Sequence, residues 1–187
     1  MKKTMRRGFA AAGILFAMVG SVQAYWQVID LGTLPGYNHS QAFAINSNGQ
    51  IVGQSYNPSN TTYDGHATLF DPTGGGNNID LGTLGGIDSG AGFINGNGQI
   101  VGGARDSSGS FHATLFDPTG GGNNIDLGTL GGIQSCAASI NNNGQIAGDA
   151  YNSSGHNRAV LFDPTGAGSN IDLGTLGGTA SATRHKF

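Results

Sequence analysis

Ile-Asp-Leu-Gly-Thr-Leu, at Ile79–Leu84, decides the fold, because it recurs at Ile125–Leu130 and Ile171–Leu176 and stands first at Ile29–Leu34. Asn-Gly-Gln-Ile keeps the same rhythm at Asn48–Ile51, Asn97–Ile100 and Asn143–Ile146. Leu-Phe-Asp-Pro-Thr-Gly follows it at Leu69–Gly74, Leu115–Gly120 and Leu161–Gly166. Asp80, Asp126 and Asp172 are spaced by 46 residues, and Asp30 precedes Asp80 by 50. A period of this size with strand-like content belongs to a solenoid, a propeller or an array, whose units bury a face only against a neighbour. Residues present in every copy read as architecture, so chemistry is to be sought where the copies differ.

The unit from Ile79 to Asn124 reads as four short strands: Ile79–Leu84, Ala91–Asn95, Gln99–Gly102 and Phe111–Phe116. Asn97-Gly98 between two apolar runs predicts a hairpin with a type I′ turn, in which both residues take φ > 0. Gly103–Ser110 reads as a polar loop and Asp117-Pro118-Thr119-Gly120 as a tight turn. No helical period is evident beyond the first two dozen residues. The expected fold is an all-β repeat protein of propeller-like, four-stranded units of about 46 residues, with a β-solenoid as the alternative. The units fall at about 29–78, 79–124 and 125–170, with a partial one at 171–178. Propellers need at least about 4 blades to close. An incomplete ring is therefore expected, with open edges that favour self-association.

The ends differ from the array. Lys2, Lys3, Arg6 and Arg7 precede an apolar stretch over Phe9–Gly20, and Val22-Gln23-Ala24 offers the small residues of a cleavage site. Residues 1–24 thus read as a secretion signal, too short in its apolar part for a membrane span of roughly 20 residues. The expected location is the periplasm, the cell surface or outside the cell. After Gly178, Ser181 keeps the repeat register but its neighbours do not, so residues 179–187 read as an atypical tail, a fourth unit cut short.

Composition excludes several roles. Beyond the signal only Arg105, Arg158, Arg184 and Lys186 stand against eleven Asp, an excess of seven negative charges. That disfavours nucleic acid and anionic lipid as partners. The 35 glycines hold fixed places in the repeat and so mark turns, not disorder. Cys136, the sole cysteine, leaves the array without an internal disulfide and reads as a packing or surface residue in the register of Gln41 and Gly90. His66 and His112 share one register that Arg158 fills in the third unit, which points to hydrogen bonding and not to a metal. Asp71, Asp117 and Asp163 precede Pro in a turn, and Asp30, Asp80, Asp126 and Asp172 open a strand. Turn capping accounts for them better than calcium, and no cofactor is expected. No nucleophile elbow, phosphate loop or zinc helix is present.

The stretches that do not repeat are Pro35–His39, Tyr56–Asp64, Arg105–Ser110 and Tyr151–Asn157. They carry Tyr37, Tyr56, Tyr63, Arg105, Tyr151 and His156, aromatic and cationic side chains suited to meeting a glycan or a protein surface. These six are the candidate ligand-binding residues; no catalytic, cofactor or metal residue is assigned.

Over all of the array the chain resembles the bacterial extracellular HAF repeat proteins. The resemblance is carried by Ile94–Gly102, His112–Phe116 and Asp80–Gly86; the family's His-Ala-Phe appears as His66-Ala67-Thr68 and His112-Ala113-Thr114, and as Arg158-Ala159-Val160 in the third unit. It implies export and a propeller-like fold, and no defined activity. The expected role is a non-catalytic binding or structural module at or beyond the cell surface. The alternatives are a propeller enzyme of hydrolase or lyase type with a channel site, and a truncated fragment of a longer surface protein.

Overall fold

The computed structural model describes residues 27–58 and 63–182, so the signal at 1–24 and the tail beyond 182 lie outside it. The described residues form strands only: β1 (His39–Ile45), β2 (Ile51–Pro58), β3 (Tyr63–Phe70), β4 (Ile79–Gly82), β5 (Gly85–Ile94), β6 (Ile100–Asp106), β7 (Phe111–Phe116), β8 (Ile125–Asp126), β9 (Gly131–Ile140), β10 (Ile146–Asn152), β11 (Asn157–Phe162) and β12 (Ile171–Asp172). They make three open, four-stranded antiparallel sheets in meander order, β1–β4, β5–β8 and β9–β12. The all-β, repeated, four-stranded reading is therefore the observed one. The first two sheets end at Gly82 and Asp126, so the Ile-Asp strand closes one sheet where the sequence grouped it with the next.

The hairpins depart from the type I′ expectation. Gly49, Gly98 and Gly144 have φ of 78°, 80° and 79°, but among the described residues no residue other than glycine has positive φ. Asn48, Asn97 and Asn143 therefore stay right-handed. The reason is the asparagine two places earlier. Asn46 Oδ1 accepts hydrogen bonds from the N–H groups of Asn48 and Gln50, while Gly49 N donates to Asn46 O. This builds a three-residue loop, a right-handed turn followed by one left-handed glycine. Asn95 and Asn141 do the same, and so do Asp106 and Asn152 at the opposite ends of their sheets.

Each strand alternates which neighbour it serves. In β6, Ile100 packs into a core shared with the first sheet, beside Val52, Ala67, Leu81 and Phe116. Val101, one residue on, packs into a second core with Leu127, which follows β8, and with Ile146, Val160 and Phe162 of the sheet ahead. The middle sheet is buried on both faces, the outer two on one. Leu81 and Leu127 are wholly buried, whereas Leu173 in the same register is 58% exposed. The glycine two places after the isoleucine in every copy has a steric cause: a methyl at Gly102 would overlap the carbonyl oxygen of Gly90, where β5 carries a bulge. Gly53 and Gly148 meet Gln41 and Cys136 in the same way.

Polar side chains sew the sheets together. Ser89 Oγ donates to Gly82 O at 2.6 Å and accepts from Ala67 N of the preceding sheet at 2.9 Å. Ser135 repeats both bonds with Gly128 and Ala113, and Ser181 with Gly174 and Ala159. Asn124 Nδ2 donates to Leu81 O and Thr83 O, while its Oδ1 accepts from Asp117 N; Asn78 and Asn170 match it. Asn46 Nδ2 donates to Asn95 O and Asn95 Nδ2 to Asn141 O, a ladder running from sheet to sheet. Ser135 is 3% exposed, so Ser135→Ala strands the buried N–H of Ala113 and the part-buried carbonyl of Gly128. We expect it to cost about 2–4 kcal/mol in urea unfolding, at about 1–3 kcal/mol per orphaned group with some relaxation. A loss below about 0.5 kcal/mol would show that water replaces the serine.

Candidate functional site

The two ends of the array are chemically different. One end holds the Asn-Gly hairpins and the Asp-Pro turns, whose side chains are committed to the ladder and to capping. The other holds the non-repeating residues. Tyr56, Arg105 and Tyr151 share one register at the far ends of β2, β6 and β10, paired with Gly65, Phe111 and Asn157. They are strand residues, not loop residues as the sequence suggested. The strands run past their apolar runs because cross-strand pairing continues to the hairpin. The polar loop after β6 accordingly shrinks to the turn between Asp106 and Phe111. His156 occupies the β10–β11 turn, where its N–H is held by Asn152 Oδ1. Tyr63 opens β3 opposite Pro58.

The first sheet gathers aromatic rings at this end. Tyr37 stands 5.7 Å from the His66 ring, and His39 stands 5.5 Å from the Tyr56 ring, centroid to centroid. Partial burial raises the Tyr37 phenol, and the negative charges of Asp64 and Asp80, with a hydrogen bond to Asp64, raise it further. In the second sheet, Arg105 reaches back to the chain. Its Nε lies 2.6 Å from Asp88 Oδ1, its Nη1 donates to Gly109 O, and its guanidinium sits 6.0 Å from the Phe111 ring centre. The Asp88 contact is ionic and not an aligned hydrogen bond, since Oδ1 is buried without a hydrogen-bond partner.

The repeated acids and histidines are accounted for by local bonding. His66 Nδ1 lies 2.8 Å from Asp80 Oδ2, His112 Nδ1 lies 2.8 Å from Asp126 Oδ2, and Arg158 Nε lies 3.2 Å from Asp172 Oδ1. One slot thus takes a nitrogen donor in every unit, which explains why Arg can stand where His does. Asp71 Oδ1 accepts from Thr73 N and Thr73 Oγ1, and its Oδ2 from Asn77. Asp117 does the same with Thr119 and Asn123. These bonds lower both carboxyls to about 2, those from Thr73 and Thr119 most. Burial pushes the Cys136 thiol up to about 12, helped by the charge of Asp149, which makes it a packing group and not a nucleophile. Among the described residues no three His, Cys or acidic side chains cluster as metal ligands would.

A pocket of about 230 Å³ lies where β1 and β2 meet β5 and β7. Phe43, Gln54, Asp88, Gly90 and Phe111 are in its wall. Of these only Gly90 stands in a register already singled out, that of Gln41 and Cys136. The signal was available: Gln54 corresponds to Gly103 and Asp149, Phe43 to Gly92 and Ala138, Asp88 to Gln134, and Phe111 to Asn157. These differences between copies lie inside strands and not in the loops that the sequence marks as variable. Arg105, a sequence candidate, reaches this group through Asp88, whereas Tyr151 and His156 belong to the third sheet.

No family model, no curated protein and no solved structure matches the chain.

The capping geometry sets a pH expectation. Asp71 and Asp117 titrate near 2 when folded, against about 3.9 in an unfolded chain. Their contribution is complete above the unfolded value and is lost as pH falls through about 2. Carboxyl-carbon NMR should place both midpoints near 2. Midpoints near about 3.9 would mean that the turns are open in solution.

Proposed function

We propose that the chain is an exported repeat protein of the HAF type that acts as a non-catalytic binding or structural module at the cell surface or outside the cell. The basic head and apolar stretch before Tyr25 support export. The observation that carries the binding reading is the division of labour in the array. The repeated Ser, Asn and Asp side chains are committed to hydrogen bonds that hold it together. Aromatic and cationic residues that differ between copies gather at one end, where they offer contact area with hydrogen-bonding tips. A rigid scaffold with a varied end is suited to recognition. The ligand classes that fit are a glycan or a protein surface, because the negative balance of the array opposes nucleic acid and anionic membranes.

An array of bacterial and plant glycans, probed with the purified protein, tests this reading. Saturable binding to at least one polymer, without cleavage, is expected. Tyr151→Ala combined with His156→Ala should weaken it by roughly 10-fold, as loss of one modest contact centre does. Asn123→Ser, at the opposite end and matching Ser169 of the third unit, should leave it unchanged. Cleavage of the bound polymer, or binding indifferent to the variable end, would refute the assignment.

A further inference from the structure

The pocket between the first and second sheets differs from everything else in the array because it does not repeat. The chain builds the same sheet-to-sheet junction twice, with Ser89, Asn124 and Leu81 at the first and Ser135, Asn170 and Leu127 at the second. Only at the first junction do two phenylalanines, a glutamine and an aspartate meet. At the second, the corresponding residues are Gly92, Asn157, Gly103 and Gln134. Gly103 takes part in this difference: a methyl there would overlap the Phe111 ring, so the glycine is the seat on which Phe111 lies. Architecture demands what recurs; a constellation that appears once, inside an otherwise repeated interface, is the signature of a site.

Its chemistry is specific. Asp88 is 6% exposed, and its Oδ1 makes no hydrogen bond although Arg105 Nε lies 2.6 Å away. A buried carboxylate held by one off-axis ion pair keeps capacity to accept from a hydroxyl. Arg105 cancels the charge, so the site has little net attraction for a cation or an anion. Gln54, 5% exposed, spends one amide hydrogen on Ser89 O and holds its place across the junction. Phe43 and Phe111 supply apolar faces in a wall that is mainly apolar. A volume of about 230 Å³ holds about eight waters at about 30 Å³ each, or one small ring, and falls below the roughly 300–1,000 Å³ of pockets for larger ligands. Apolar faces opposite a neutralised hydrogen-bonding pair match a molecule that is polar at its rim, apolar on its face and uncharged.

We infer that this pocket binds a single neutral sugar ring, with Asp88 accepting from ring hydroxyls, Arg105 fixing Asp88, and Phe43 and Phe111 facing the C–H surface. The inference rests on the reading of the chain as a binding module and names the ligand class for one part of it.

Titration of the ¹⁵N-labelled protein with glucose, galactose, mannose and N-acetylglucosamine, with choline as the cationic comparator, tests it. One sugar should shift the amides of Gly90 and Phe111 saturably, with Kd on the order of 1 mM for a ligand of about 12 heavy atoms. Its methyl glycoside separates the two sources of such a ring: a chain end keeps the affinity, a free sugar loses it. Gly90→Leu is the blocking variant. A Cβ at Gly90 meets nothing within 4 Å, and Gln41 and Cys136 show that a side chain is accepted in this register. It should retain the wild-type melting temperature and lose at least about 10-fold in affinity. Asp88→Asn, which keeps the shape, should lose a similar factor. Absence of saturable shifts with every sugar at millimolar concentration would overturn the proposal, as would tighter binding of choline. If folded Gly90→Leu still binds while the Tyr151 and His156 changes abolish glycan binding, the pocket assignment fails and the wider binding reading stands.

Discussion

Stacked sheets expose the same problem at each junction: backbone groups at a buried face have no water to bond. Ser89, Ser135 and Ser181 answer it by accepting from an N–H of the sheet behind and donating to a carbonyl of the strand that leads in. The rest of the array depends on this clip. It ties β5 and β9 to the preceding sheet, and Leu81 and Leu127 are wholly buried beside it. Asn124 and Asn170 then tie the Asp-Pro turn of one sheet to the Leu-Gly-Thr segment that closes the sheet behind, and Asn78 makes the same bond to Leu31. Close approach also explains the glycines, since backbone meets backbone at Gly53, Gly102 and Gly148.

The aromatic and cationic residues that vary between units are separated from this framework by geometry. Hydrogen bonds consume the repeated polar residues, so what recurs has little left with which to recognise a partner. What differs lies on one end of the array and in one junction. The Arg105–Asp88 pair joins the two regions: the arginine belongs to the varied end, the aspartate to the pocket wall. The slot shared by His66, His112 and Arg158 shows the opposite principle, a position that tolerates chemical change because only a nitrogen donor facing Asp is required.

Much of the fold was legible because its signals are local. Alternating apolar residues gave the strands, Asn-Gly and Asp-Pro gave the turns, and the 46-residue period gave the repeat. The turn type differs from the type I′ form that Asn97-Gly98 suggests, because the Asn95 side chain captures two N–H groups and makes a left-handed asparagine unnecessary. Apolar runs alone end the strands before Tyr56, Arg105 and Tyr151, whereas cross-strand pairing carries the strands past them.

Sequence alone determined that the chain is an all-β array of repeated units and which side chains are shared by every copy, because a period is a property of order along the chain. Only tertiary structure decided where one sheet stops and the next begins, since Ile79–Gly82 pairs backwards with β3 and not forwards with β5. It alone brought Phe43, Gln54, Asp88 and Phe111 to one pocket. They come from four strands of two sheets, and the stacking that unites them is fixed by buried serines whose partners lie 22 residues away.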